Sequence, residues 1–288
     1  MNRRDALHVA ALGAVAAAGG YGLGRLHAQN DSDPEVEALG RSTDAAHSPE
    51  RDRAEILMLV YPRFTALDLV GPQHVFSLLG PDYKTRLVWK DTADVTSDTG
   101  IPVRPTQTFE EATESPEVLF VPGGTDGTLA VMEDPEVLGF LASRGANARY
   151  VTSVCTGSLV LAAAGLLRDR RATTHWLAME ALADFGVQAV SERVVVDGNR
   201  ITGAGVTAGT DFALTLAAAL KDDAYAQGIQ LMMEYDPAPP FGGVTPESAD
   251  PETVGMLRAM ALEFNRSVKA VAGRRGTTET LSAPQAGE

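Results

Sequence analysis

Cys155 is the only cysteine among the 288 residues of this chain, and its surroundings give it a chemical use. It is preceded by Tyr150-Val151-Thr152-Ser153-Val154, a short run of β-branched and apolar residues that reads as a buried strand. It is followed by Thr156 and Gly157, and then by Leu159 to Ala164, a helical stretch that Gly165 ends. A thiol at such a strand-to-helix turn has backbone N–H groups of the helix start beside it. Those groups and the helix dipole favour a thiolate, the nucleophilic form. The competing reading is an inert core cysteine, because free cysteine is among the most buried residue types. With one cysteine, an intrachain disulfide and a Cys-rich metal site are both excluded.

The elements that would position Cys155 alternate between strand and helix. Ile56 to Tyr61 is a continuous apolar run, as expected of a strand buried on both faces. A helix is expected from Pro72 to Leu79, with Pro72 at its first position. Strands follow at Lys84 to Lys90 and at Val118 to Val121, with a hairpin-like excursion over Val95 to Val103 between them. Helices are expected over Asp126 to Met132, Pro135 to Ser143, Trp176 to Phe185, Thr207 to Leu220 and Ala224 to Tyr235. Ala172 to Thr174 reads as a short strand, and Val194 to Ile201 as a hairpin turning at Asp197-Gly198-Asn199. Such alternation implies a mostly parallel sheet covered by helices on both faces, an α/β three-layer sandwich. Sites in these sheets form at the carboxyl ends of the strands. Three such ends stand out: the segment Ala66-Leu67-Asp68, the pair Gly123-Gly124, and Cys155.

Four segments at these ends occur together and in order. They are Phe64-Thr65-Ala66-Leu67-Asp68-Leu69-Val70-Gly71-Pro72, Val121-Pro122-Gly123-Gly124, Ser153-Val154-Cys155-Thr156-Gly157 and Ala172-Thr173-Thr174-His175-Trp176. With them the chain, over roughly residues 54–236, resembles the PfpI superfamily, which includes the parkinsonism-associated deglycase. Within it, the chain is most similar to the isonitrile hydratase-like branch. The resemblance implies a flavodoxin-like sandwich of the class I glutamine amidotransferase type. It also implies a homodimer, a cysteine nucleophile, a small-molecule substrate, and neither metal nor cofactor. In that branch the positions matching Asp68, Cys155 and Thr156 form the catalytic group, adding water to an isonitrile carbon to give an N-substituted formamide. Redox sensing or protection, and glyoxalase-like or protease-like activity, are the alternatives that the superfamily offers. A transcription-regulator-like domain without its DNA-binding part is the weakest of them.

Each candidate has an ordinary structural reading beside the functional one. Asp68 has the type of a helix N-cap, but a helix starting at Pro72 makes Gly71 the cap and leaves Asp68 in the preceding loop. A carboxyl group beside a thiolate has a raised pKa and can keep a proton to deliver, so Asp68 reads as the acid/base. Thr156 either satisfies a backbone group at the helix start or turns its hydroxyl and N–H into the site. Gly123 and Gly124 are turn glycines whose N–H groups, with Thr156, can form an anion hole. His175 is a supporting residue, with a half-buried structural histidine as the alternative.

The rest of the chain frames this domain. The formal net charge of −14 repels phosphate backbones, so nucleic acid is not an expected partner. Residues 1–28 resemble a twin-arginine (Tat) export signal: Arg3-Arg4, an alanine- and glycine-rich apolar run, and a small residue, Ala28, at the expected cleavage position. This implies the Tat machinery as a partner, only transient membrane contact, and a periplasmic or extracellular protein; an uncleaved membrane anchor is the alternative. Residues 29–53 read as an acidic disordered linker. Residues 54–236 read as the catalytic domain, 237–271 as an extension with one helix (Glu252 to Phe264), and 272–288 as a disordered tail.

Overall fold

The computed structural model describes residues 53–242 and 245–282. The expected export signal and most of the linker lie outside the described residues.

The first strand, β1 (Ala54–Leu59), has four consecutive fully buried residues, Ile56 to Leu59, because the sheet is covered on both faces. It pairs in parallel with β2 (Tyr83–Trp89) on one side and β6 (Val118–Val121) on the other. β2 carries β5 (Gln107–Thr108) at the edge. On the other side β6 pairs with β7 (Tyr150–Val154), which pairs with β11 (Arg200–Gly203), again in parallel. Only β10 (Val194–Asp197), hairpinned onto β11 through Gly198 at a φ of 59°, runs antiparallel. The result is a seven-stranded sheet in the order β10-β11-β7-β6-β1-β2-β5. The short pair β3 (Val95–Thr96) and β4 (Pro102–Val103) forms the expected excursion.

Two groups of helices cover the sheet. α1 (Ala66–Ser77), α6 (Ala208–Leu220) and α7 (Asp223–Met232) pack together. α2 (Thr125–Glu133), α3 (Pro135–Asn147), α4 (Gly157–Ala163), α5 (Met179–Ala183) and α8 (Pro251–Ser282) form the second group. Phe76, Phe120 and Phe212 meet edge-on or stacked within 6.3 Å, locking α1 and α6 onto β6. The architecture is the expected flavodoxin-like three-layer α/β sandwich with a mostly parallel sheet.

Several boundaries differ from the sequence expectation, each for a physical reason. α1 starts at Ala66, so Pro72 lies inside the helix and Asp68 in its first turn, rather than in a loop capped by Gly71. The early start is held by tertiary partners: Thr65 N–H bonds to Gly123 O, and Ala66 N–H to the Asp98 carboxylate. Arg171–Ala172 pairs only with β9 (Gln188–Ala189), as β8 of a separate two-stranded ribbon. Trp176–Ala178 is a 3₁₀ turn that precedes α5. α8 extends to Ser282, past Phe264 and through much of the segment expected to be a disordered tail from residue 272. Val268, Val271 and Ala272 are buried, so apolar contact carries the helix on. No helix among the described residues is long and apolar enough to cross a membrane.

Candidate active site

Cys155 adopts a φ of 57°, in the left-handed region that a residue with a Cβ rarely occupies. Such a conformation costs on the order of 1–3 kcal/mol and persists only where its surroundings hold it. Here they do. The Cys155 N–H donates to Gly203 O (3.1 Å) and Ala204 O (2.8 Å), at the end of β11. Its carbonyl accepts from Ser158 Oγ (3.1 Å) and Thr174 Oγ1 (3.0 Å). Gly157 follows because any Cβ there would collide with the carbonyls of Val121 and Pro122 at the end of β6. The turn therefore aims one thiol at a fixed point above the sheet.

Asp68 meets that thiol from α1. Its side chain is fully buried, and its carboxyl lies beside the Cys155 thiol. Oδ2 accepts the Gly123 N–H at 2.9 Å; Oδ1 is buried with no hydrogen-bond partner. Burial pushes the Asp68 pKa up to about 7, against the opposing pull of the Gly123 N–H and the thiol; the nearby Asp98 charge adds a smaller upward push. The direction is the expected one, but the leading cause is burial rather than a neighbouring thiolate. For Cys155 the outcome reverses the expectation of a favoured thiolate. Burial, then the Asp68 charge, raise its pKa, outweighing the N–H groups of Thr156 and Val206 that reach the sulfur. α4 has only seven residues and contributes too little to offset desolvation.

Thr156 completes the group. Its Oγ1 accepts the Gly124 N–H (3.0 Å) and shares a proton with Thr128 Oγ1 (2.8 Å). Both glycine amides of the expected anion hole are thus occupied, Gly123 by Asp68 and Gly124 by Thr156. They hold the Asp68 and Thr156 side chains, and the amides that face the sulfur are those of Thr156 and Val206. A Cβ on Gly123 would sit 2.7 Å from Asp68 Oδ2 and 2.7 Å from Thr156 N; on Gly124 it would sit 2.5 Å from Arg63 O. His175 lies beside this centre. Its ring packs so closely on Gly205 that a Cβ there would be 2.7 Å from Cδ2. Nδ1 accepts the Leu177 N–H (3.3 Å), and burial lowers the His175 pKa, so the ring is neutral at neutral pH. Its visible contacts support the turn that delivers the Val206 N–H.

Sequence reasoning did not find Tyr61, Asp98, Thr128, Thr174 or Val206. Thr174 stood within a quoted segment, next to His175. Asp98 stood at the tip of the recognised excursion, where an aspartate reads as a turn residue. Val206 acts through its backbone, which no side-chain pattern reveals. Among the described residues, no group of three or more His, Cys, Asp or Glu side chains could hold a metal ion.

A sandwich whose single cysteine occupies a strained turn at the end of a central parallel strand, touching a buried carboxyl, defines a class of cysteine-centred α/β proteins. The chain belongs to the DJ-1/PfpI family, which it matches over residues 54–219. It is 50% identical over 207 residues to the isonitrile hydratase of Pseudomonas putida, a match covering 72% of this chain and 90% of that protein. An HTH-type transcriptional regulator, CdhR of Pseudomonas aeruginosa, is 31% identical over 65% of this chain, but only 55% of the regulator is matched. Among solved structures, a THiJ/PfpI family protein from Pseudomonas syringae is 45% identical, with a TM-score of 0.75 over 86% of this chain and 98% of that one.

Proposed function

We propose that this protein is a cysteine-dependent isonitrile hydratase-like lyase, with Cys155 as nucleophile and Asp68 as the proton carrier. The observation that carries the reading is the contact between the Cys155 thiol and a buried carboxyl poised near neutrality. The 50% identity to an isonitrile hydratase supports isonitriles as the substrate class.

In a site this dry, a thiolate and a carboxylate side by side are disfavoured, so the pair carries one proton between them. An isonitrile uses that proton. Asp68 delivers it to the terminal carbon while the sulfur attacks the same carbon, forming one C–H and one C–S bond and leaving a thioimidate on Cys155. The Asp68 carboxylate then takes a proton from water as the oxygen adds to that carbon, and passes that proton to the nitrogen; the proton left on the oxygen is the one that collapse returns to the pair. Collapse breaks the C–S bond, returns the proton to the pair and releases the N-substituted formamide. The sum is one isonitrile plus one water, with no oxidant or cofactor consumed. Thr156 borders the adduct with its hydroxyl and N–H. The raised thiol pKa counts against the redox-sensing alternative, which needs an accessible, easily ionised cysteine.

The test is formation of the formamide from cyclohexyl isocyanide, with Cys155→Ala as control. Turnover by the native protein and its loss in the variant are expected; full activity in Cys155→Ala removes the scheme.

Homodimer formation and Tat export belong to the same proposal. Leu67 and Val70, both half exposed on the helix that carries Asp68, are consistent with a covered face, and light scattering in solution reads the assembly state. Detection of the protein in the periplasmic fraction, lost when Arg3-Arg4 is replaced by two lysines, reads the export route.

A further inference from the structure

A chain of buried hydroxyls runs behind the nucleophile, and beyond Thr156 it is not used in the scheme above. Tyr61, at the end of β1, is fully buried and donates its phenol O–H to Pro122 O at 2.8 Å. Its oxygen lies 3.3 Å from Thr128 Oγ1, and Thr128 Oγ1 lies 2.8 Å from Thr156 Oγ1. Thr128 is fully buried and Thr156 nearly so. Gly127 makes room for the phenol: a Cβ there would be 2.9 Å from the Tyr61 ring. The chain is therefore packed in place at both ends.

Counting protons along it leaves two arrangements. The Tyr61 proton is committed to Pro122 O, so the Tyr61 oxygen can only accept. In one arrangement Thr156 donates to Thr128 and Thr128 donates to Tyr61; Thr156 then offers the site only a lone pair. In the other, Thr128 donates to Thr156, and the Thr156 proton is left with Gly124 O at 3.5 Å, too long for a good bond. That proton is available to whatever occupies the site. Two hydroxyl rotations interconvert the arrangements without moving a heavy atom.

We infer that Thr128 and Tyr61 are positioning residues: a hydroxyl relay that lets Thr156 alternate between accepting from and donating to the group bound at Cys155. The ligands it serves are those with a lone-pair atom next to the carbon that sulfur attacks, such as the nitrogen of a thioimidate or the oxygen of an acyl adduct. The inference rests on the reading of Cys155 as the nucleophile with Thr156 bordering its adduct, and extends it to Tyr61, just past β1, and to Thr128 on α2.

The test exploits shape against chemistry. Thr128→Val keeps the side-chain shape and removes the hydroxyl; Thr128→Ser keeps the hydroxyl and removes a methyl. A packing role ranks valine above serine, and a relay ranks serine above valine. The expected result is a fall in kcat of about tenfold for Thr128→Val, the worth of one hydrogen bond in the transition state, with KM little changed and most activity kept in Thr128→Ser. Tyr61→Phe is expected to lose less, and Tyr61→Phe combined with Thr128→Val no more than Thr128→Val alone, because the links act in series. Additive losses, or valine outperforming serine, overturn the relay. The series is read with cyclohexyl isocyanide and again with p-nitrophenyl acetate, whose acyl carbon the thiol attacks. Ester turnover with the serine-above-valine order, but none with isonitrile, keeps the relay and removes the hydratase reading. Absence of Cys155-dependent turnover with both probes overturns the two together.

Discussion

The same sheet treats its two ends differently. At the carboxyl ends, β1, β6, β7 and β11 bring Tyr61, Gly123, Cys155 and Ala204 to one centre almost closed to solvent, where most polar atoms pair with one another. Toward the amino ends, Glu55 pairs with Arg86, Glu117 with Arg149, and Asp82 with Lys221, on side chains that remain partly in solvent. Both ends hold charge. Solvent access is the difference: desolvation raises the pKa values of Asp68 and Cys155 at one end, while water screens the pairs at the other. The proposed chemistry sits where the cost of burial is large enough to change protonation.

Asp68→Asn breaks the comparison most severely. It removes the proposed proton carrier and is expected to cut kcat/KM about a thousandfold, the range of general acid–base catalysis. In the native protein, kcat/KM is expected to rise with an apparent pKa near 7, as the pair passes from two protons to one, and the variant is expected to lack that limb. Stability gives an independent reading. The folded pKa of about 7 lies above the unfolded value of 3.8, so between them the folded state binds the extra proton. The Asp68 contribution is therefore full at acid pH and is lost as pH rises toward 7, by up to about 4 kcal/mol. The Tm of Asp68→Asn relative to native is expected to climb between pH 4 and pH 8; parallel Tm curves would show that Asp68 is not desolvated as described.

Gly123→Ala is next. Its Cβ would press on Asp68 and Thr156 together, moving both groups that address the thiol. Activity is expected to fall about a hundredfold, with a loss of about 1–3 kcal/mol in stability from overpacking. Gly139→Ala in α3 is the control: nothing lies within 4 Å of its added Cβ, and it should stabilise by about 0.5–1 kcal/mol. Comparable urea midpoints for the two variants would remove the close approach as an explanation.

Strand ends were legible in the sequence because burial on both faces forces continuous apolar runs, and because a lone cysteine, a glycine pair and an aspartate punctuate them. The start of α1 was not, since the partners that hold it, Gly123 O and the Asp98 carboxylate, are distant in sequence. Nor was the fate of the glycine amides: a glycine shows that a backbone can come close, not which group will occupy its N–H. The protonation of Cys155 was misjudged because local features, a turn and a helix start, were weighed without the desolvation that only packing reveals. α8 was expected to end at Phe264, whereas it runs on past that point because Val268, Val271 and Ala272 are buried against the rest of the fold, a contact that no local pattern shows.

The smallest effect belongs to the other end of the sheet. Arg149 pairs with Glu117 while keeping 55% of its side chain exposed, so the pair is screened by water and salt. The guanidinium also lies 5.2 Å from the centre of the Tyr150 ring. Arg149→Ala is expected to cost less than about 1 kcal/mol, to leave kcat unchanged, and to cost less still in high salt. A double-mutant cycle with Glu117→Gln, followed by urea unfolding, isolates the pair. A coupling as large as the loss from Gly123→Ala would mean that the amino ends of the strands are as dry as the carboxyl ends, and solvent access would no longer explain why chemistry occupies only one of them.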